Sequence, residues 1–480
     1  MLKSLFWSIL EQGGAKIVTL AIQVILARIL APGVFGVIAI LLAFTELADT
    51  IAQSGLGMAL VQRDKASDED FSTGFWMCLA VSVVMYVLLF LFAPVISAFY
   101  NQEDLTILIR VMSLTVIFNS ANSVQRSYLQ RRMDFEGLFR VTFFAKLASG
   151  VLAVVAAFAG FGIWALVMQY VSCSVFTFLA MLVFVPWRPG LTFSFKVAKE
   201  LFSYGWEICV TGILNSLYSR LSELLLGKFC TMSDVGLYSQ GRKYPLAAVS
   251  VLSNALQNVF FPAFSSIKDN LEKLVAEIRQ FLVVGSYIFV PFALFATVAA
   301  EPLVVLLLTD SWFDCVPVFQ MTSVSYSLLL LQVINLRAYM ALGDSRLYLN
   351  LQIIKLSVSF VAVFIAVVLT HDIYVVAFVN AAAFMLSVLF VDLQPAKRMF
   401  GYSGLQQLKD ILPTYVLAVI ASVCAYAVLF LDLPYIVLLL LQLLVFTVVY
   451  LGGSALFKVK GFKDCVVMLK RVLGRSRRGE

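Results

Sequence analysis

Apolar residues dominate this chain in stretches, about fourteen of them, each close to the roughly 20 residues that a helix needs to cross a bilayer. They cover residues 6–30, 34–60, 75–98, 105–129, 138–159 and 163–185, then 201–226, 235–264, 278–300, 316–342, 347–369 and 373–393, and finally 411–430 and 435–457. The pattern predicts an all-α integral membrane protein. The first stretch follows Lys3 as a signal peptide would, but Glu11 interrupts it and no small-residue cleavage site follows. It reads as a helix that stays attached.

The pattern also repeats at a distance of roughly 200 residues. Phe35-Gly36-Val37 opens one long helix as Val235-Gly236-Leu237 opens another. The sequence from Lys146 resembles that from Lys355, so these two lysines correspond, and Trp164 meets Tyr374 after a one-residue insertion. Each copy holds an even number of spans, so both enter the bilayer from the same side. The expected architecture is two parallel six-helix bundles around a central cavity, plus two extra C-terminal helices. The substrate site would lie between the bundles near mid-depth. Residues 1–186 form the first bundle, 187–200 a cytoplasmic linker and 201–395 the second bundle; 396–457 hold the two additional helices and 458–480 a basic tail. The added pair would serve as a side wall or as a dock for a lipid tail.

Composition agrees with a lipid-solvated fold. The chain of 480 residues is 61% hydrophobic and 13% charged, where soluble domains carry about 25% charged residues. A net charge of +7 would suggest nucleic acid, but the cations sit in alternate loops. Arg63, Arg126, Arg131, Arg132, Arg140, Arg188, Lys196, Lys199, Lys273, Arg279, Arg346, Lys397 and Arg398 all fall on one side, and Lys228 is the main exception on the other. This positive-inside pattern puts both termini of a multi-pass membrane protein on the cytoplasmic side. In the tail, Phe462, Val466, Leu469 and Leu473 share a helical face that suits anionic headgroups. The seven cysteines show no metal-ligand spacing and read as scattered thiols. Cys230 and Cys315 fall in loops on the same outer side, which leaves a disulfide open.

Ionised groups are costly at membrane depth and persist where they face a water-filled cavity or a partner. Five embedded cations stand out: Lys16, Lys146, Arg220, Arg337 and Lys355. Polar residues recur at helical spacing, which places them on common faces. Gln12, Lys16, Thr19 and Gln23 form one stripe, and Glu46, Asp49 and Gln53 another. Asn119 and Asn122, Thr211 and Asn215, and Asn254 extend the set. Each polar position has a plain alternative, a hydrogen bond between helices. Glu46 and Asp49 either neutralise the cations or hold a coupling proton or sodium ion. His371, the sole histidine, falls in a short outer loop. No P-loop, dinucleotide fingerprint, nucleophile elbow or zinc pattern occurs, so neither an enzyme nor a resident cofactor is expected.

The runs LARILAPGVFGVIAI from Leu26, LADTIAQSGLGMALVQR from Leu47 and VGLYSQGRKYPLAAVSVLSNALQNVFFPAFSSI from Val235 resemble bacterial Wzx-like polysaccharide exporters. These form the colanic-acid-exporter branch of the multidrug/oligosaccharidyl-lipid/polysaccharide flippase superfamily. The resemblance covers essentially the whole chain. It implies a flippase for polysaccharide biosynthesis (lipopolysaccharide, capsule or exopolysaccharide) that turns an undecaprenyl-diphosphate-linked oligosaccharide to the outer leaflet. Membrane lipids and other glycan assembly proteins are the partners it implies. A cationic cavity would replace the water lost by the diphosphate, since desolvating such a group costs tens of kcal/mol. The rival readings are an ion-coupled drug or cation antiporter, which would favour an anionic cavity, and a membrane polymerase of surface glycan, which the short outer loops disfavour.

Overall fold

The computed structural model describes residues 2–53, 55–63, 67–267 and 270–465. The side chains of Gln12, Glu207 and Asn254, and tail residues 466–480, lie outside the described set. Among the described residues every regular element is helical. The chain divides into two compact units, Met1–Ser239 and Gln240–Glu480.

Unit 1 contains α1 (Leu2–Ile29), α2 (Pro32–Gln53), α3 (Leu56–Gln62), α4 (Asp68–Tyr100), α5 (Leu105–Met112), α6 (Leu114–Arg131), α7 (Phe135–Phe158), α8 (Ile163–Phe184), α9 (Phe195–Phe229) and the start of α10 (Met232–Ser266). Residues 187–200 lie within unit 1 as well. Unit 2 holds the rest of α10, then α11 (Leu271–Val298), α12 (Ala300–Leu308), α13 (Val316–Tyr326), α14 (Leu329–Ala341), α15 (Ser345–Thr370), α16 (Ile373–Ser387), α17 (Ala396–Phe400), α18 (Gly404–Tyr426) and α19 (Tyr435–Leu456).

This is a multi-pass membrane protein. Ten described helical segments are long and apolar enough to span a bilayer, and the pair Asp310–Tyr326 and Leu329–Ala341, bent by 41°, would make an eleventh. The expected fourteen is therefore matched at the coarser level of an all-α, many-spanning chain. Helices also occupy the remaining expected positions: α1 has 28 residues, α9 and α10 have 35 each.

Local chemistry sets the helix ends. Ser67 and Asp70 form a reciprocal capping box at the start of α4, and Ser403 with Gln406 does the same for α18. The repeat is visible in these details. Met133 and Gly343 take positive φ, and the next residues, Asp134 and Asp344, accept from Gly137 N and Leu347 N to start α7 and α15. Each copy also breaks its fourth expected span midway, at Ser113 between α5 and α6 and at Ser327–Leu328 between α13 and α14.

Small residues let the unit 1 helices approach closely. A Cβ on Gly36 would lie 1.8 Å from Met232 O, and one on Gly236 would lie 1.9 Å from Pro32 O. The two glycines of the repeated motif therefore pack on each other, with no room for a side chain on either. At one end of unit 1, Trp187 closes a nest with Phe71 and Tyr128. In unit 2, α18 and α19 join α11, where Tyr450 Oη donates to Tyr287 O at 2.7 Å. No disulfide links any of the seven cysteines, all of them described.

Candidate functional site

Polar side chains inside unit 1 converge from α1, α2, α6, α8 and α9. The Arg220 guanidinium on α9 grips Glu46 on α2 through two hydrogen bonds, Nε to Oε2 at 2.8 Å and Nη2 to Oε1 at 2.6 Å. This fork matches a carboxylate in two places, which makes it stronger and more directional than a single contact. One turn on from Glu46, Asp49 Oδ2 accepts from Asn119 Nδ2 at 2.9 Å. Asn119 Oδ1 in turn accepts from Ser174 Oγ at 2.8 Å, and Asn122 Nδ2 donates to Ser174 O at 3.1 Å. Gln23 on α1 donates to Gln169 on α8 at 3.1 Å. Thr50 and Ser216 hydroxyls meet at 3.1 Å, and a Cβ on Gly212 would press on Thr50 at 2.8 Å, so α2 and α9 lie close here.

The cluster is rich in acids. Glu46, Asp49 and the buried Glu223 stand near Arg220 or near one another. The second carboxylate oxygen of Asp49 is buried and has no hydrogen-bond partner among the described residues. An acceptor in that state can take a proton, a cation or the donor of an incoming ligand.

Unit 2 carries a second, tighter pair. Lys355 on α15 stands 2.9 Å from Asp392 Oδ1, with side chains 6% and 0% exposed. Gln332 Nε2 donates to Asp392 Oδ2 at 2.9 Å, and Tyr339 Oη donates to Asp392 O at 2.7 Å. Asp392 ends a π-helical turn, Val388–Asp392, that continues α16. Such a turn widens the helix by one residue and re-aims the side chains along it. Nearby in the same unit, Asn335 and Gln407, both fully buried, exchange amide hydrogen bonds at 2.8 and 3.0 Å. At the start of α18, Asp410 accepts from Arg279 at 2.6 Å and from the Tyr402 hydroxyl.

The residues singled out by sequence therefore have different fates. Arg220, Glu46, Asp49, Asn119, Asn122 and Gln23 enter polar contacts inside unit 1. Lys16, Lys146 and Thr211 are half-buried and engaged with neighbours. Gln53 is half-buried and Asn215 exposed, and their side chains take no part in the contacts above. In unit 2, Lys355 is sealed against Asp392, while Arg337 is half-buried with Nη1 4.0 Å from Met340 Sδ.

Asp392, Gln332, Gln169 and Ser174 were not anticipated. Asp392 had a readable signal, an acid at the end of an apolar stretch opposite an embedded lysine. Gln169 and Ser174 had none, because one amide or hydroxyl in an apolar helix is common.

Residues 25–317 match the family described as polysaccharide biosynthesis protein. Similar curated proteins include the succinoglycan biosynthesis transport protein ExoT of Rhizobium meliloti (strain 1021), 26% identical over 323 residues, which are 67% of this chain and 65% of that one. The lipopolysaccharide biosynthesis protein WzxC of Escherichia coli (strain K12) is 28% identical over 302 residues, 62% of this chain and 61% of its own. The chain thus spans less than two thirds of the length of these relatives. Among solved structures, the lipid II flippase MurJ in an inward closed conformation superposes with a TM-score of 0.75 at 12% identity, covering 95% of this chain and 99% of that one. An inward-facing multidrug resistance MATE transporter of the MOP superfamily gives 0.62 at 14% identity, covering 80% and 94%. The overall fold is thus shared with both, and on the match along 25–317 the chain belongs to the polysaccharide biosynthesis protein family.

Proposed function

We propose that this chain carries a lipid-linked oligosaccharide, joined to a polyprenyl diphosphate, from the inner to the outer leaflet by alternating access. The observation that carries the reading is the Arg220–Glu46 fork with its Asp49–Asn119–Ser174 chain, a hydrogen-bonding interior built on helices otherwise suited to lipid. A relative named for succinoglycan transport and a structural neighbour that is a lipid II flippase support the same class of cargo. On this reading α1, α9 and α10 also cross the bilayer and bring the spans to about fourteen. The two six-helix bundles, the cytoplasmic termini and the basic tail follow from the repeat and the loop charges.

Lys16, Lys146, Arg220 and Arg337 then attract the diphosphate, while Lys355 stays with Asp392, and the polar stripes, Gln12 and Asn254 included, receive sugars. Arg220 is held by Glu46 and must change partner to act. A proton or sodium ion taken up by Glu46 or Asp49 would weaken the fork and release the guanidinium to the diphosphate, which offers the same two-point geometry. Cargo binding and ion uptake would thereby be coupled through one side chain. Each charge moved across the membrane contributes about 2.3 kcal/mol per 100 mV.

The test is complementation of a deletion strain. Wild type should restore surface polysaccharide, and Arg220→Ala should leave the lipid-linked oligosaccharide on the inner leaflet. Normal export by Arg220→Ala at wild-type abundance would remove this mechanism. The acids around Arg220 favour one second reading, ion-coupled antiport of a cationic drug. Drug resistance restored with no change in surface glycan would select it.

A further inference from the structure

We propose that a cavity at one end of unit 1, walled by the start of α2, the end of α4 and the turn between α9 and α10, is a binding subsite for an uncharged sugar residue. The proposal rests on the glycan-transport reading and names a place on that route where a sugar is held. The cavity is open on one side and has a volume of about 530 Å³, within the roughly 300–1,000 Å³ common to ligand sites. Val34, Asn101, Gln102, Ile163, Lys228 and Met232 are among the residues that line it.

Its walls are fixed by contacts that need no ligand. Tyr100 Oη donates to Leu224 O at 3.2 Å, tying the end of α4 to α9. Lys228 Nζ donates to Phe99 O at 2.6 Å and stands 4.6 Å from the Phe99 ring centre. Thr231 Oγ1 donates to Asp234 Oδ2 at 2.7 Å and accepts from Asp234 N at 3.2 Å, which sets the turn into α10. Gly227 is required between them, since a Cβ there would meet Ile40 at 2.5 Å and Tyr100 at 3.0 Å. A wall already in place saves the ordering cost that a loose loop would add on binding.

The lining chemistry suits a pyranose. Asn101 and Gln102 each present an amide with two donors and an acceptor, and a sugar hydroxyl needs both kinds of partner. The ammonium of Lys228 has three donors, of which Phe99 O takes one. Val34, Ile163 and Met232 supply apolar surface for the C–H face of the ring. Charge argues against an anion, because the same loops set Glu103, Asp104 and Asp234 against the single cation Lys228. This also gives a use to Lys228, the lysine that the loop-charge rule leaves over.

Full-length protein in lipid nanodiscs can be probed by saturation-transfer NMR with cellobiose, lactose and maltose, and with digalacturonate as the charged arm. Wild type should transfer saturation to at least one neutral disaccharide and leave digalacturonate at background. The double variant Asn101→Ala/Gln102→Ala, and separately Val34→Trp, which fills the cavity, should at least halve the transfer while melting like wild type. The site is overturned by any of three results: no transfer to the neutral sugars, equal transfer in the variants, or stronger transfer to digalacturonate. Binding without any role in export in the deletion strain would leave this site standing and remove the transport reading. Export with no sugar binding would do the reverse.

Discussion

The two embedded ion pairs have the same charges and opposite surroundings. In unit 1, Arg220 and Glu46 keep side-chain exposures of 22% and 40%, amid a chain of hydroxyls, amides and one half-satisfied carboxylate. In unit 2, Lys355 and Asp392 are sealed, and the acid is also held by Gln332 and by the π-helical turn. A pair that solvent or cargo can reach can exchange partners; a sealed pair can only hold its helices together. The difference predicts that polar substitutions in unit 2 lower stability first, and those in unit 1 lower transport first. The sequence repeat sharpens the contrast. Lys146 corresponds to Lys355, but the position matched to Asp392 is the apolar Leu182, so the latch belongs to one copy alone.

The strongest test of the sealed pair is Asp392→Leu. It leaves an ammonium buried without its carboxylate, a loss of about 3–5 kcal/mol. The double variant Lys355→Met/Asp392→Leu should recover most of it, because a well-packed apolar pair is often as stable as the ions it replaces. Thermal melting of detergent-purified protein reads both. Were Asp392→Leu to melt with wild type, the pair would hold nothing, and the contrast between the units would fail. A smaller loss, about 1–3 kcal/mol, is expected for Asn335→Leu, which strands Gln407 Oε1 in the interior while Nε2 keeps the Tyr402 carbonyl. Asn335→Leu/Gln407→Leu should melt closer to wild type than either single change does.

How much of this was legible in the sequence follows from the physics of each feature. Helix positions were readable because lipid demands long apolar runs, and the repeat was readable because Gly36 and Gly236 each need a bare backbone at one crossing. The five cations were visible because charge is rare at depth. Their partners were only half visible. Glu46 lay on a polar stripe of its own, while Asp392 sat alone near a helix end. Which acid meets which base depends on how distant segments pack, and Glu46 and Arg220 are 174 residues apart. The cavity at the end of unit 1 was not legible at all, because Asn101, Gln102 and Lys228 are ordinary loop residues until the fold gathers them.

Within unit 1, Ser174→Ala probes the relay behind Asp49. It removes the donor to Asn119 Oδ1, so about 0.5–1.5 kcal/mol of stability should go. Export should fall by a larger fraction than the melting shift alone explains, because Asn119 then holds Asp49 less firmly. A loss of melting temperature with unchanged export would make this chain a packing contact and move unit 1 toward unit 2.

The smallest expected effect on stability is the most decisive for function. Arg220→Ala breaks a fork whose acid is 40% exposed, so screening limits the loss to about 1 kcal/mol or less. Export should nevertheless be abolished. Arg220→Lys separates charge from geometry: it keeps the cation and loses the second hydrogen bond, and a point charge cannot reproduce the planar fork at carboxylate or diphosphate. Residual export in the lysine variant, absent in alanine, would assign the residue to electrostatic attraction of the cargo. Equal loss in both would assign it to two-point recognition. A fall in melting as large as that of Asp392→Leu would instead mean that both pairs serve the fold, and that the polar interior of unit 1 is a core and not a passage.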